Sequence, residues 1–319
     1  MLSMKKKILV LSVFSLAMLS GLFAQQDRAM THSMYDKLSV NPGSTGIEEG
    51  ICGTLLYRNQ WDKFNGAPNS VVFNVEANLD RWINSGLGIS FYHDAIGFNR
   101  QNNLLINYSY HLDLNVGTLG MGLGLGIVNF AMSPTWVTPQ TDVDNYLPNA
   151  FSGTNFDMNF GLYWKGSQNY YVGISSTHMT QSILQDPTLS TVNFNTSRHY
   201  YLMGGYRFDQ LFGTNQEFDL DLNTLMRTDF RKFSADITAR LFWNKLLYGG
   251  VGYRTGESIL ILLGASMDLG PGKASFGYSY DITANKYIKP SWGTHEIMLK
   301  YCYIIPPPPI TKSAHPRWL

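Results

Sequence analysis

The chain has 319 residues, of which 44% are hydrophobic and only 15% charged, with a formal net charge of +1. So few charges beside 30 Gly, 19 Tyr, 18 Phe and 7 Trp speak against a disordered chain. Near-neutrality leaves no concentrated basic footprint for nucleic acid, and two cysteines cannot by themselves build a disulfide framework or a four-ligand zinc site.

Residues 1–24 read as an export signal. Met1 to Lys7 is basic, Ile8 to Leu19 is apolar, and Ser20, Gly21 and Ala24 are small before Gln25-Gln26-Asp27 turns polar. The apolar stretch is too short to span a bilayer, and no later run reaches the roughly 18 apolar residues of a membrane helix. Cleavage after Ala24 leaves 319 − 24 = 295 residues and removes Lys5, Lys6 and Lys7, giving a charge of 1 − 3 = −2. Residues 25–50 follow as a periplasmic segment or a plug.

From residue 51 the body alternates. Val71, Phe73, Val75, Ala77 and Leu79 face one way, and Asn74, Glu76, Asn78 and Asp80 the other. Leu119, Met121, Leu123, Leu125 and Ile127 alternate with Gly120, Gly122, Gly124 and Gly126. Period two is the strand signature, because successive side chains leave on opposite faces. About 14 such runs follow one another: 51–61, 69–79, 86–93, 102–112, 117–129, 155–164, 170–178, 200–207, 217–225, 234–242, 246–254, 259–268, 273–281 and 294–304.

Long connections (94–101, 130–154, 179–199, 226–233, 282–293) mostly alternate with short ones (113–116, 165–169, 243–245, 269–272). An outer-membrane barrel has long external loops and short periplasmic turns, and an even strand number puts both barrel ends on the periplasmic side. A soluble sandwich has no reason to sort its loops by length. The fold expected is therefore all-β: a transmembrane antiparallel up-and-down β-barrel of about 14 strands over residues 51–304, with a Pro-rich periplasmic tail at 305–319. Asp157, Asn159, Arg207, Asp219, Asp221, Asp236, Arg240, Arg254, Asp268, Glu296 and Lys300 fall on the lumen side. Their mixed signs read as ion pairs rather than an ion-selective pore.

Cys52 opens the first run and Cys302 closes the last. In a closed barrel those strands are antiparallel neighbours. Directly opposed, non-hydrogen-bonded positions have Cα atoms about 4.5 Å apart, within the span a disulfide tolerates. A disulfide between Cys52 and Cys302 across the closing seam is the resulting expectation.

Several stretches resemble the PorP/SprF family of Bacteroidetes outer-membrane proteins, associated with type IX secretion and gliding motility. They are Val40-Asn41-Pro42-Gly43-Ser44-Thr45-Gly46, Leu56-Tyr57-Arg58-Asn59-Gln60-Trp61 with Gly66-Ala67-Pro68, and His199-Tyr200-Tyr201-Leu202-Met203-Gly204-Gly205-Tyr206. The final hairpin adds Gly277-Tyr278-Ser279-Tyr280-Asp281 and Gly293-Thr294-His295-Glu296-Ile297-Met298-Leu299. The chain departs from the family in Gly43-Ser44-Thr45 and in continuing through Pro306-Pro307-Pro308-Pro309 to Trp318-Leu319.

The resemblance implies an outer-membrane component of secretion and surface attachment that is not an enzyme. Its implied partners are a secreted type IX cargo or adhesin, periplasmic secretion-ring lipoproteins, and outer-membrane lipid. Trp136, Asn145, Tyr146 and Phe151 are the expected contacts in the long loops, because exposed aromatics dominate binding hot spots. Trp318 would anchor a docking tail. No catalytic residue, cofactor or metal site is expected, since the seven histidines form no close pair and no nucleophile elbow is present. The alternative functions are a diffusion channel or small-molecule transporter and, behind it, an outer-membrane lipid hydrolase.

Overall fold

The computed structural model describes residues 28–136, 147, 149–181, 183–185, 193–213, 217–284 and 291–306, with backbone alone at 183–185 and 193–195. Its strands are β1 (Ile51–Asn59), β2 (Asn69–Asn78), β3 (Ser85–Ile96), β4 (Asn99–Leu114), β5 (Gly117–Met132), β6 (Phe151–Gly166), β7 (Tyr170–Thr177), β8 (Ile183–Gln185) and β9 (Asn193–Asn195). They continue as β10 (His199–Phe208), β11 (Phe218–Thr228), β12 (Phe233–Trp243), β13 (Leu247–Arg254), β14 (Ser258–Leu269), β15 (Gly272–Thr283) and β16 (Thr294–Tyr303). Fourteen close into one barrel, while β8 and β9 form a separate two-stranded ribbon in the β7–β10 connection. Every barrel pairing is antiparallel, and β1 closes on β16 from Ile51↔Tyr303 to Asn59↔His295.

Alternation in sequence becomes an inside-out distribution of polarity. On β12, Asp236, Thr238 and Arg240 are buried while Ile237 is 56% exposed. On β5, Met121, Leu123, Leu125 and Ile127 are all exposed. A membrane barrel needs this arrangement, because lipid takes the apolar face and closure satisfies every backbone group. Among the polar positions expected inside, Asp157, Asn159, Asp219, Asp236, Arg240, Arg254, Glu296 and Lys300 are buried; Asp268, near the end of β14, is exposed.

The connections differ from expectation at one end. Residues 94–101 are no loop: β3 and β4 continue to a two-residue turn, Gly97-Phe98, with Asp94 opposite Gln101. Gly97 has φ +57, a conformation glycine adopts without cost. Polar pairs such as His93 Nδ1 with Asn102 Oδ1, 2.7 Å apart, carry the hairpin on, and polarity there concealed the strands. Likewise 226–233 shrinks to a turn at 229–232, in which the Asp229 carboxylate accepts from the N–H groups of Arg231 and Lys232. The long connections at this end are 60–68, 133–150, 178–198 and 284–293; the opposite end carries short turns apart from 209–217.

Candidate functional site

Residues 28–50 lie inside the barrel. At the long-connection end the Arg28 guanidinium sits 3.5 Å from the centroid of the Tyr92 ring, and Arg227 Nη1 donates to the Arg28 carbonyl at 3.4 Å. At the short-turn end Asn78 N donates to the Gly50 carbonyl at 2.8 Å. The segment therefore threads the lumen from one mouth to the other before β1 begins. A barrel of 14 strands falls between those filled by side chains alone and those wide enough for a channel, so its lumen has room for such a plug.

The plug is locked by charge. Glu296 Oε2 accepts from Thr31 N at 2.8 Å, and Glu296 Oε1 accepts from His32 N at 2.7 Å and lies 2.8 Å from His32 Nδ1. The Thr31 hydroxyl donates to Asp281 and accepts from Arg58 Nη1 at 3.0 Å. Arg58 also bonds Glu296 at 3.0 Å and Asp281 at 2.7 Å. Arg254 links Asp281, at 3.3 Å, to Asp236, at 3.0 Å, and Arg227 lies 3.6 Å from Asp236. Three arginines thus balance three carboxylates, all of them buried. Buried charges persist only when paired and hydrogen-bonded, and here two plug residues complete the pairing.

Apolar anchors add to the lock. Met30 packs with Leu56, Val72, Tyr92 and Met298, and Met34 with Phe242, Tyr248, Leu260 and Leu262. Lower down, Ile47 joins Tyr163, Tyr201, Met203 and Leu225. Between these anchors Asn41 caps the short 3-10 turn Pro42–Ser44, accepting from Gly43 N at 2.9 Å and donating to the Leu162 carbonyl at 3.0 Å. This turn presses into the wall at Gly122 and Gly161: a Cβ on Gly122 would run into the Pro42 backbone, and one on Gly161 into the Asn41 side chain. Close approach of the turn to the wall backbone is what demands glycine there. The stretch around Asn41-Pro42-Gly43 and the wall glycines Gly120, Gly122 and Gly161 are two halves of one seat.

At the short-turn mouth Lys300 Nζ pairs with Glu48 Oε2 at 2.7 Å, and this ammonium holds the Glu48 carboxyl down to about 2. Beside it the structure bonds Cys52 to Cys302, which face each other in the β1–β16 register with Cα atoms 4.0 Å apart. A mixed-charge cavity of about 700 Å³ opens there, lined by Lys37, Lys165, Glu49, Glu76 and Asp113 among others. At the opposite mouth a cavity of about 560 Å³ lies over the lock.

Of the contacts expected in the long loops, Asn145 and Tyr146 lie outside the described residues, as does Trp318. Trp136 is 47% exposed and 6.0 Å from the Phe98 ring. Phe151 opens strand β6 and packs 6.3 Å from Phe130, so it belongs to the barrel wall rather than to a loop. Sequence reasoning missed Thr31, His32 and Arg58. Their partners lie 27 to 265 positions away, and only the polar face of β1, interrupted by an arginine, hinted at them.

A family profile described as type IX secretion system membrane protein PorP/SprF matches residues 22–301. Among solved structures, the outer membrane protein Omp33 of Acinetobacter baumannii aligns with 82% of this chain and 100% of its own at 8% identity and a TM-score of 0.42. A mutant of the TodX monoaromatic hydrocarbon channel aligns over 84% and 92% at 10% identity and a TM-score of 0.43. The NanC porin aligns over 80% and 100% at 11% identity and a TM-score of 0.39. Among curated proteins, none matches by sequence.

Two outcomes follow from the lock and its lower clamp. Glu296→Gln keeps the side-chain shape but strips Arg58 of one carboxylate, and should cost on the order of 3–5 kcal/mol in denaturant unfolding. Replacing Arg58 and Glu296 together by apolar residues should cost less than the sum of the single changes; additive losses would show the pair is not coupled. The second concerns pH. The Glu48 carboxyl is depressed in the folded protein, so its contribution is complete above the ordinary value of 4.5 and is lost as pH falls through about 2. The stability gap between the native protein and Glu48→Gln should therefore be open at neutral pH and close in acid. A gap constant down to the lowest accessible pH would contradict the clamp.

Proposed function

The chain belongs to the PorP/SprF family of type IX secretion system membrane proteins, and from that membership we propose that it holds an exported protein at the outer surface while contacting the secretion machinery on the periplasmic side. The barrel and the family both fit the outer membrane. In this reading residues 1–24 are removed on export, 25–50 form the plug, 51–304 the barrel and 305–319 a periplasmic tail. The long connections, with Trp136, Asn145 and Tyr146, and the rim where Phe151 opens β6, face the exported cargo or adhesin. The short turns, the 209–217 connection and the tail with Trp318 face ring lipoproteins, and the exposed apolar belt faces outer-membrane lipid. The role is binding, not catalysis.

The observation that carries this over a diffusion channel is the seated plug. Its Thr31, His32, Met30 and Met34 are all buried inside the lumen. A segment fixed by both buried charge and apolar packing leaves the outer rim and the mouths as the working surfaces.

Purification from native outer membrane in mild detergent tests the proposal. An exported protein, a periplasmic lipoprotein, or both should accompany the barrel at near-stoichiometric amounts. Recovery of the barrel alone would count against docking.

A further inference from the structure

The stretch Arg58-Asn59-Gln60-Trp61, whose arginine serves the lock, runs out to the long-connection mouth near Pro68. The structure gathers Arg58, Gln60, Trp61 and Pro68 around the cavity of about 560 Å³ at the long-connection mouth. Its floor is the top of the plug, Arg28 and Ala29, with the Thr31 lock directly beneath. A cavity closed below by a locked plug admits a ligand from the long-connection side only.

Charge and shape narrow what could enter. Arg28, Arg58 and Lys232 line the cavity against Asp94 and Glu257, so bases exceed acids by 3 − 2 = 1. Arg58 is engaged with Glu296 and Asp281. Glu257 accepts from Gln60 Nε2 at 3.4 Å and lies 4.0 Å from Arg254 Nε, while Asp94 accepts from the Ser70 hydroxyl at 2.5 Å. Lys232, on the exposed β11–β12 turn, pairs with no carboxylate among the described residues, which leaves its ammonium for a ligand to meet. Apolar surface comes from Trp61 and from Phe233, which is 59% exposed.

Trp61 is also held in an unusual conformation. Its φ is +53, in the left-handed region that bulky residues avoid. Thr294 Oγ1 accepts from Trp61 N at 3.2 Å, and Asp62 exchanges backbone hydrogen bonds with Trp292 and Gly293. Contacts across the rim thus fix the backbone from which the indole projects.

We propose that this cavity is a docking cup for an extended peptide segment of the exported partner, one that brings a carboxylate to Lys232 and an apolar side chain against Trp61 and Phe233. The assignment of that peptide to an exported protein rests on the docking function proposed above; the cup's preference for a carboxylate beside an apolar group does not. Aromatic anchoring supplies the contact area, and the uncompensated ammonium selects the acidic group.

N-acetyl-phenylalanine and its amide are the minimal probes, titrated calorimetrically into the full-length barrel in detergent. The carboxylate should bind saturably in the millimolar range and the amide about tenfold more weakly. Lys232→Gln, a change on an exposed turn, should abolish that difference, and Trp61→Ala should weaken both probes. Arg231→Gln, next to Lys232 but outside the cup, should leave both unchanged. Absence of saturable binding, equal binding of acid and amide, or an unaltered Lys232→Gln variant would each overturn the cup. Labelling of Ala29→Cys on intact cells by an impermeant maleimide, with Arg231→Cys as the reference for the outer face, tests its exposure. Labelling of Arg231→Cys alone would contradict an open cup, whereas labelling of neither would instead place this mouth on the inner side and overturn the orientation on which docking depends. Probe binding retained in a barrel that copurifies with nothing would separate the two proposals, keeping the cup and discarding the docking function.

Discussion

Two oxygens of Glu296 hold the backbone and ring of a Thr-His pair that arrives from outside the sheet, and the rest of the architecture depends on that contact. Closing 14 strands puts three arginines and three carboxylates where water and lipid are both excluded. Buried charges of this kind are tolerated when each is paired with an opposite charge and hydrogen-bonded. Thr31 and His32 bridge what the wall alone would leave incomplete, so barrel and plug stabilise one another. The glycine pits on β5 and β6, the Asn41 cap and the Lys300–Glu48 clamp keep the remainder of the plug on the path that the lock defines.

Much of the wall was legible in the amino-acid order. Val71 to Leu79 and Leu119 to Ile127 alternate because lipid and lumen make opposite demands on adjacent residues, and that demand is local. The opposition of Cys52 and Cys302 could be read because closure and antiparallel order leave few registers for a seam. Harder to read were hairpins beyond the apolar belt, where both faces are polar and alternation fades. Asp94 to Asn102 became two strand ends, and Phe151 a wall residue rather than a loop contact. The lock itself carried no local signal. Thr31 and Glu296 are 265 positions apart, and neither residue type marks its partner.

The glycines of β5 show the same division. Alternation puts Gly120 and Gly122 on the lumen side, but their occupant, the Pro42-Gly43 turn, lies some 80 residues upstream. Gly124 and Gly126 meet Asn107 and Leu104 of the neighbouring strand instead, so one glycine run serves two kinds of close approach. The resemblance in Val40 to Gly46 and in Leu56 to Trp61 gains a physical basis from this arrangement. The first stretch seats the plug, and the second supplies the arginine that locks it and the tryptophan at the long-connection rim.

A filled lumen separates an anchoring barrel from a channel, and electrical conductance reads that difference directly. Reconstituted in planar bilayers, the full-length protein should be silent, while a variant lacking residues 28–46 should open stable currents once folded. Steady conductance through the intact protein would contradict a locked plug.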